Sequence, residues 1–169
     1  KGHVLVLGDE RVRACGLNRA VIPGYTVPAG YETPMARRTK QSIRLVLGPQ
    51  ADRFTADSYN ILTSAPYEIT ASSDRMGYRL AGAKLDHVNG ADIISDGAVF
   101  GSIQVPADGQ SIILMADRQT TGGYTKIATV ITPDLPILAQ MGPGEMIQFE
   151  IISVEAAQAV YKEYCAVLR

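Results

Sequence analysis

From residue 42 onward the chain alternates in short apolar bursts. Ile43, Leu45 and Leu47 alternate with Arg44 and Val46, which predicts a strand, and GPQ at 48–50 ends it. Residues 51–63, ADRFTADSYNILT, place Phe54, Ala56, Tyr59, Ile61 and Leu62 at mixed helical spacing and predict a short helix. Residues 67–71 and 75–80 are strand-like. Gly77 interrupts the second, where a bulge or a close backbone approach is the usual reason.

Four more apolar runs follow, at 98–105, 112–116, 127–131 and 146–152. Each is short, rich in β-branched residues and bounded by Gly, Pro, Asp or Thr. PADG at 106–109 separates the first two and predicts a hairpin turn. One helical turn is expected at 135–140. After Ser153 the pattern changes. Val154, Ala157, Val160, Tyr161, Tyr164, Val167 and Leu168 mark one face of an amphipathic helix, with Ser153 as its N-cap.

Residues 9–42 have neither period. Pro23, Pro28 and Pro34 recur with Gly24 and Gly30, so this stretch reads as an extended connector. The opening KGHVLVLG at 1–8 reads as the end of a preceding unit. The expected fold is mainly β with a few helices (α+β). Short strands with close turn signals favour a barrel or sandwich over a doubly wound sheet.

Charge narrows the function classes. Sixteen basic against seventeen acidic residues leave a net charge of −1, which argues against nucleic-acid or membrane-surface partners. No apolar run approaches the roughly 18 residues of a membrane span. Cys15 and Cys165 are in no CxxC motif, so two free thiols in a reducing cytoplasm are expected.

The chemistry is sparse. Asp86-His87 with Asp92 and Asp96 is too loose a set to predict a metal site, and solvated turn residues are the better reading. No GxSxG, GxGxxG or GxxxxGK[ST] occurs. Three stretches stand out. The first is MADRQTTGGYT at 115–125. Its Thr120-Thr121-Gly122-Gly123 backbone suits either an anion-binding nest or a plain hairpin loop, with Arg118 as a partner for a carboxylate or phosphate. The second, Ser72–Arg79, repeats the recipe with Asp74-Arg75. Here the plain alternative is a strand entry in which Asp74 caps a turn and the arginines face solvent. The third holds Gln104 between apolar residues at a strand end, where its amide needs partners from either the backbone or a ligand.

Taken together, GPQADRF (48–54), SSDRMGYRLAG (72–82) and ISDGAVFGSIQVPADGQSIILMADRQTTGGYTKIATVI (94–131) closely resemble the allophanate hydrolase subunit 2, or biotin-dependent carboxyltransferase, family. Its members include the C subunit of the bacterial ATP-dependent 5-oxoprolinase and the carboxyltransferase region of urea carboxylase. They also include an antagonist of a sporulation-kinase inhibitor. The resemblance covers about residues 43–152.

It implies a cyclophilin-like β-barrel, of which residues 43–169 are the C-terminal half. Residues 1–8 would then end the first half and 9–42 cross between halves. It implies a heteromeric complex with a subunit-1-type cyclophilin-like partner and, in the 5-oxoprolinase members, a LamB/YcsF-like subunit. ATP would be used by the complex, held here or on another subunit. In the carboxyltransferase members, biotin would arrive on a separate carrier.

The family chemistry holds a polarised carbonyl oxygen and stabilises its developing charge. Arg75, Asp117 and Arg118 are the catalytic candidates that follow. Asp74, Gln104, Gln119, Thr120, Thr121, Gly122, Gly123 and Tyr124 are the binding candidates. A fragment carrying only this half is expected to be inactive by itself.

Overall fold

A computed structural model describes residues 40–167. The readings of 1–8, of most of the connector and of Cys15 lie outside these residues. The described part is mostly strand. β1 (Lys40–Leu47) is followed by a 3-10 turn (Ala51–Arg53) and α1 (Ala56–Ser64). Then come β2 (Tyr67–Ile69), β3 (Gly77–Ala81), β4 (Asp92–Gly97), β5 (Ser102–Gln104), β6 (Ile112–Leu114), β7 (Thr121–Tyr124) and β8 (Lys126–Val130). A second 3-10 turn (Thr132–Asp134) leads into α2 (Leu135–Leu138), β9 (Met146–Ile151) and α3 (Val154–Val167).

Seven strands close into a barrel in the order β1-β8-β5-β6-β3-β2-β9. β1 is antiparallel to β8 and parallel to β9, with Ile43 opposite Phe149, so the first and last strands close the ring. The alternating residues read from sequence supply the core. Ile43, Leu45, Ile69, Ile103, Ile113, Ile127, Ile147 and Phe149 are all buried, with Tyr67 packed on Phe149 at 5.5 Å between rings. Burying such side chains contributes about 1.5–3 kcal/mol each. Burial without a partner for its hydroxyl pushes the Tyr67 phenol up to about 12.

Several boundaries shift from expectation for identifiable reasons. The first strand begins at Lys40, inside the expected connector, because β9 offers it a parallel partner from Met146 onward. The helix expected over 51–63 splits at Phe54 and Thr55. Phe54 is extended and bridges to His87, and Thr55 becomes the N-cap of α1, accepting from Ser58 N. The run 98–105 is strand only at its end. Ala98–Gly101 turns instead, with Ser102 N bonded to Val99 O and Gly101 at φ +85°.

Other expectations match. PADG turns the β5–β6 hairpin, with Gly109 N bonded to Pro106 O. Gly77 is a site of close approach: a Cβ there would lie 3.1 Å from Ile112 and 3.3 Å from the Ile113 carbonyl. Ser153 caps α3 through Ala156 N. The apolar face of α3 is thinly covered, with Val154 and Tyr161 exposed.

The two strands that sequence does not announce are β4 and β7. They pair only with each other, as an antiparallel ribbon outside the barrel. The ribbon has no core face of its own, so no apolar alternation marks it, and Ile94 stands 95% exposed.

Candidate functional site

The barrel has two ends, and the sequence candidates divide between them. Gln104 pairs with Ile112 and Lys126 at one end of β5. At the other end, Leu114 of β6 pairs with Gly77 of β3, and the chain runs on to Asp117. β7 and its neighbouring loops pass from one end to the other.

At the Asp117 end the two Asp-Arg pairs converge. Arg75 Nε lies 3.2 Å from Asp117 Oδ2, and Asp117 N donates to the Arg75 carbonyl at 2.9 Å. They stand on the rim of a cavity of about 350 Å³ whose walls include Ile69, Tyr78, Phe100, Met115 and Met141. Tyr78 OH donates to the Met141 carbonyl, and burial raises its pKa, with the Glu145 carboxylate adding to it. The rim itself is wet: the Arg75 side chain is 90% exposed. Arg118 is turned onto its own fold, with Nε donating to Ala98 O at 3.2 Å and the guanidinium 5.9 Å from the Phe100 ring centre. Asp74 accepts from Met76 N and Gly77 N through Oδ1, so it caps the turn into β3.

The same end holds a structural ion pair. Asp134, buried, accepts from Arg44 N at 2.8 Å, Arg44 Nε at 3.1 Å and the guanidinium NH2 at 2.6 Å. That side-chain hydrogen bonding raises the Arg44 pKa against the opposing effect of burial, with the charges of Asp134 and Glu150 adding to the rise.

The Gln104 end is different. Gln104 and Lys126 are cross-strand partners on β5 and β8, both buried. The β5–β8 register shifts between Ile103 and Gln104, a bulge-like irregularity at this pair. Lys126 Nζ lies 3.2 Å from Asp96 Oδ2 on β4 but is poorly aligned with it as a hydrogen bond, and finds no other partner. Gln104 Nε2 has no hydrogen-bond partner either. Gln50, from the turn after β1, donates to Asp96 Oδ2 and accepts from Lys126 N. The Asp96 carboxyl is held below the usual carboxylate range, first by the donor contact from Lys126, then by Gly97 N and Gln50, with the Lys126 charge adding to it.

Gly122 lies against this cluster. A Cβ at that position would sit 2.4 Å from Gln104 Nε2, so any side chain here would displace the Gln104 amide. The backbone of 120–123 is not the nest considered from sequence. Thr121–Tyr124 is strand, and neither Gly122 nor Gly123 has a positive φ. Gly122 serves close approach, while Gln119, Thr120, Thr121 and Tyr124 are exposed. No phosphate cradle is formed there, so the residues do not fit an ATP phosphate chain at that place.

His87 also departs from a solvated turn residue. It is half-buried, stacked on Phe54 at 4.6 Å, with Nε2 near Thr125 Oγ1 (2.9 Å) and Val105 O (3.1 Å). Asp96 faces Lys126 instead. Among the described residues no three His, Cys, Asp or Glu side chains stand together as a metal site, and no helix is long and apolar enough to cross a membrane.

Gln50 and the pairing of Asp96 with Lys126 carry no motif in the sequence. One signal was available for Lys126. It opens a strand buried on nearly every side chain, KIATV, which leaves a lysine no solvent face.

Known proteins share this architecture. The chain is 50% identical over 91 residues to the C subunit of the Haemophilus influenzae 5-oxoprolinase, covering 54% of this chain and 29% of that protein. It is 41% identical over 115 residues to the C subunit of the Escherichia coli 5-oxoprolinase, covering 68% and 37%. The matched part is thus about a third of those relatives' length. The fold is that of a part of the Kluyveromyces lactis urea carboxylase, with a TM-score of 0.69 at 22% identity, covering 74% of this chain and 12% of that one. A family model described as "Carboxyltransferase domain, subdomain A and B" matches residues 1–151, and the chain belongs to that family.

Proposed function

We propose that this chain is the C-terminal part of the C subunit of an ATP-dependent 5-oxoprolinase. The complex opens the lactam of 5-oxoproline to glutamate in the cytoplasm. The observation that carries the reading is the 50% identity to the C subunit of a 5-oxoprolinase. The chemistry of the barrel supports it. Lactam opening needs donors for a carbonyl oxygen that gains negative charge, and the barrel carries two buried ones: Lys126 Nζ, with only the misaligned 3.2 Å contact to Asp96, and Gln104 Nε2, with no acceptor among the described residues. The expected partners are a subunit-1-type barrel and a LamB/YcsF-like subunit. ATP belongs to the complex, and no step is assigned to it in this chain.

Arg75, Asp117 and Arg118 retain a proposed role at the opposite mouth, where the exposed Arg75–Asp117 pair presents charge toward whatever covers the 350 Å³ cavity. A carboxyltransferase working with biotin on a separate carrier, and a non-catalytic antagonist of a kinase inhibitor, are the rival activities.

The test is reconstitution of the full-length protein with both partner subunits. ATP-dependent release of glutamate from 5-oxoproline is the expected result. A correctly assembled complex that releases no glutamate, yet carboxylates urea when given a biotin carboxylase and carrier, would replace this reading with the carboxyltransferase one. Tight binding to the subunit-1-type partner without either reaction would leave the antagonist.

A further inference from the structure

We infer that Lys126 and Gln104 together hold a carbonyl oxygen of an amide ligand beneath the β4–β7 ribbon, an assignment that rests on the 5-oxoprolinase reading. Three observations meet at one point. Gln104 and Lys126 are register partners, their side chains are about 2% exposed, and neither Gln104 Nε2 nor Lys126 Nζ has a hydrogen-bond partner. Gly122 is kept free of a side chain where Gln104 Nε2 lies. Asp96, which pairs with Gly122 across the ribbon, stands 3.2 Å from Lys126 Nζ and is itself half exposed.

A buried donor without an acceptor costs stability, and a buried ammonium costs more. Such groups are nearly always satisfied in folded proteins, by protein, water or a ligand, so an unpartnered Gln104 amide and an under-coordinated Lys126 on paired strands have room for one more acceptor. Both groups are donors, so the missing group is an oxygen. Asp96 already offsets the Lys126 charge, so a full anion is not required. The fit is to an oxygen that is neutral at rest and gains charge during reaction, which describes an amide or lactam carbonyl.

Asp96 is the yielding wall. Gly97 N holds its Oδ1, while Gln50 and Lys126 share its Oδ2, and the contact with Lys126 is the misaligned one. Entry of the ligand oxygen replaces that contact with an aligned one.

The experiment measures binding of 5-oxoproline, and separately of acetamide as a bare amide, to the full-length protein reconstituted with both partner subunits, by calorimetry. Lys126→Met and Gln104→Met are compared with wild type, and Lys84→Met, an exposed lysine, serves as control. Each of the first two changes is expected to weaken 5-oxoproline binding by about tenfold or more, the usual effect of losing a hydrogen bond to a charged or buried group. Lys84→Met should leave it unchanged. Near-UV circular dichroism reports folding, and if Lys126→Met does not fold, Gln104→Met carries the test.

Folded variants that bind 5-oxoproline as wild type does would overturn the site and leave the proposed activity standing. Binding of acetamide but not 5-oxoproline, with the same dependence on Lys126 and Gln104, would support the site and overturn the 5-oxoprolinase reading. Wild type that binds neither probe would overturn the inference.

Discussion

Two ion pairs mark the two ends of the barrel, and they are built to opposite specifications. Arg44–Asp134 is saturated: the buried carboxylate receives three donors, two of them from the forked guanidinium. Lys126–Asp96 is starved: one misaligned contact serves a buried ammonium, and an unpartnered amide lies beside it. A pair that only holds a fold together gains from saturation. A pair left short of acceptors holds capacity in reserve for something that arrives later.

Removing a partner from each pair should separate these roles. Arg44→Met leaves Asp134 buried and unpaired. It is expected to destabilise the full-length protein by about 3 kcal/mol in urea unfolding, the typical cost of breaking a buried pair. Lys126→Met removes the starved member itself and should cost less than about 1 kcal/mol or raise stability. If Lys126→Met were as damaging as Arg44→Met, the contrast would collapse and Lys126 would be structural.

Gly122→Ala sharpens the same contrast. Its Cβ falls on Gln104, and overpacking of this kind costs about 1–3 kcal/mol. In the reconstituted complex it should also lower glutamate release more than its stability loss explains. A variant with normal turnover would free Gln104 from any role that needs its present position.

Acid titration addresses Asp96 alone. Its folded pKa is depressed, so its contribution is complete above the usual carboxylate range and is lost as pH falls through the lower folded value. The amide resonances of Gly122 and Gly123 should therefore hold steady from neutral pH into the usual carboxylate range and move only below it. Movement within the ordinary carboxylate range, at about pH 4, would mean that the Lys126 contact is absent in solution.

The smallest effect is expected at the exposed pair. Arg75→Ala should change stability by less than about 0.5 kcal/mol, as solvent screens such contacts. Its turnover should fall by less than about tenfold, well short of the effect of a lost oxyanion donor. A larger loss in the reconstituted complex would move the reacting group to the Asp117 end.

Much of the barrel was legible because its strands bury one face and so alternate. Ile43–Leu45 and the 127–131 run need no further information. The ribbon was illegible for the converse reason: DIISDG and TGGY cover other residues without having a core to face. The convergence of Arg75 with Asp117 was legible as matching chemistry but not as proximity, since strand pairing between β3 and β6 creates it. Gly122 in sequence suggests backbone freedom, yet in the fold it matters for the space it leaves beside Gln104. Lys126 escaped because a lone lysine at a strand start reads as solvated, and only the ring of buried neighbours removes that option.

The closure of the ring between β1 and β9 also dictates an order of events. These two strands lie at opposite ends of the described chain, so their parallel pairing is about as non-local as the fold allows. Loop-closure entropy is met before that pairing gives anything back, which makes it a late and slow step. Until Met146–Ile151 arrives, β1 and β2 each present an open edge, the form in which a strand recruits foreign partners. During synthesis the ring cannot close before its last strand emerges, and a chain held at that stage is expected to aggregate more readily than the complete one.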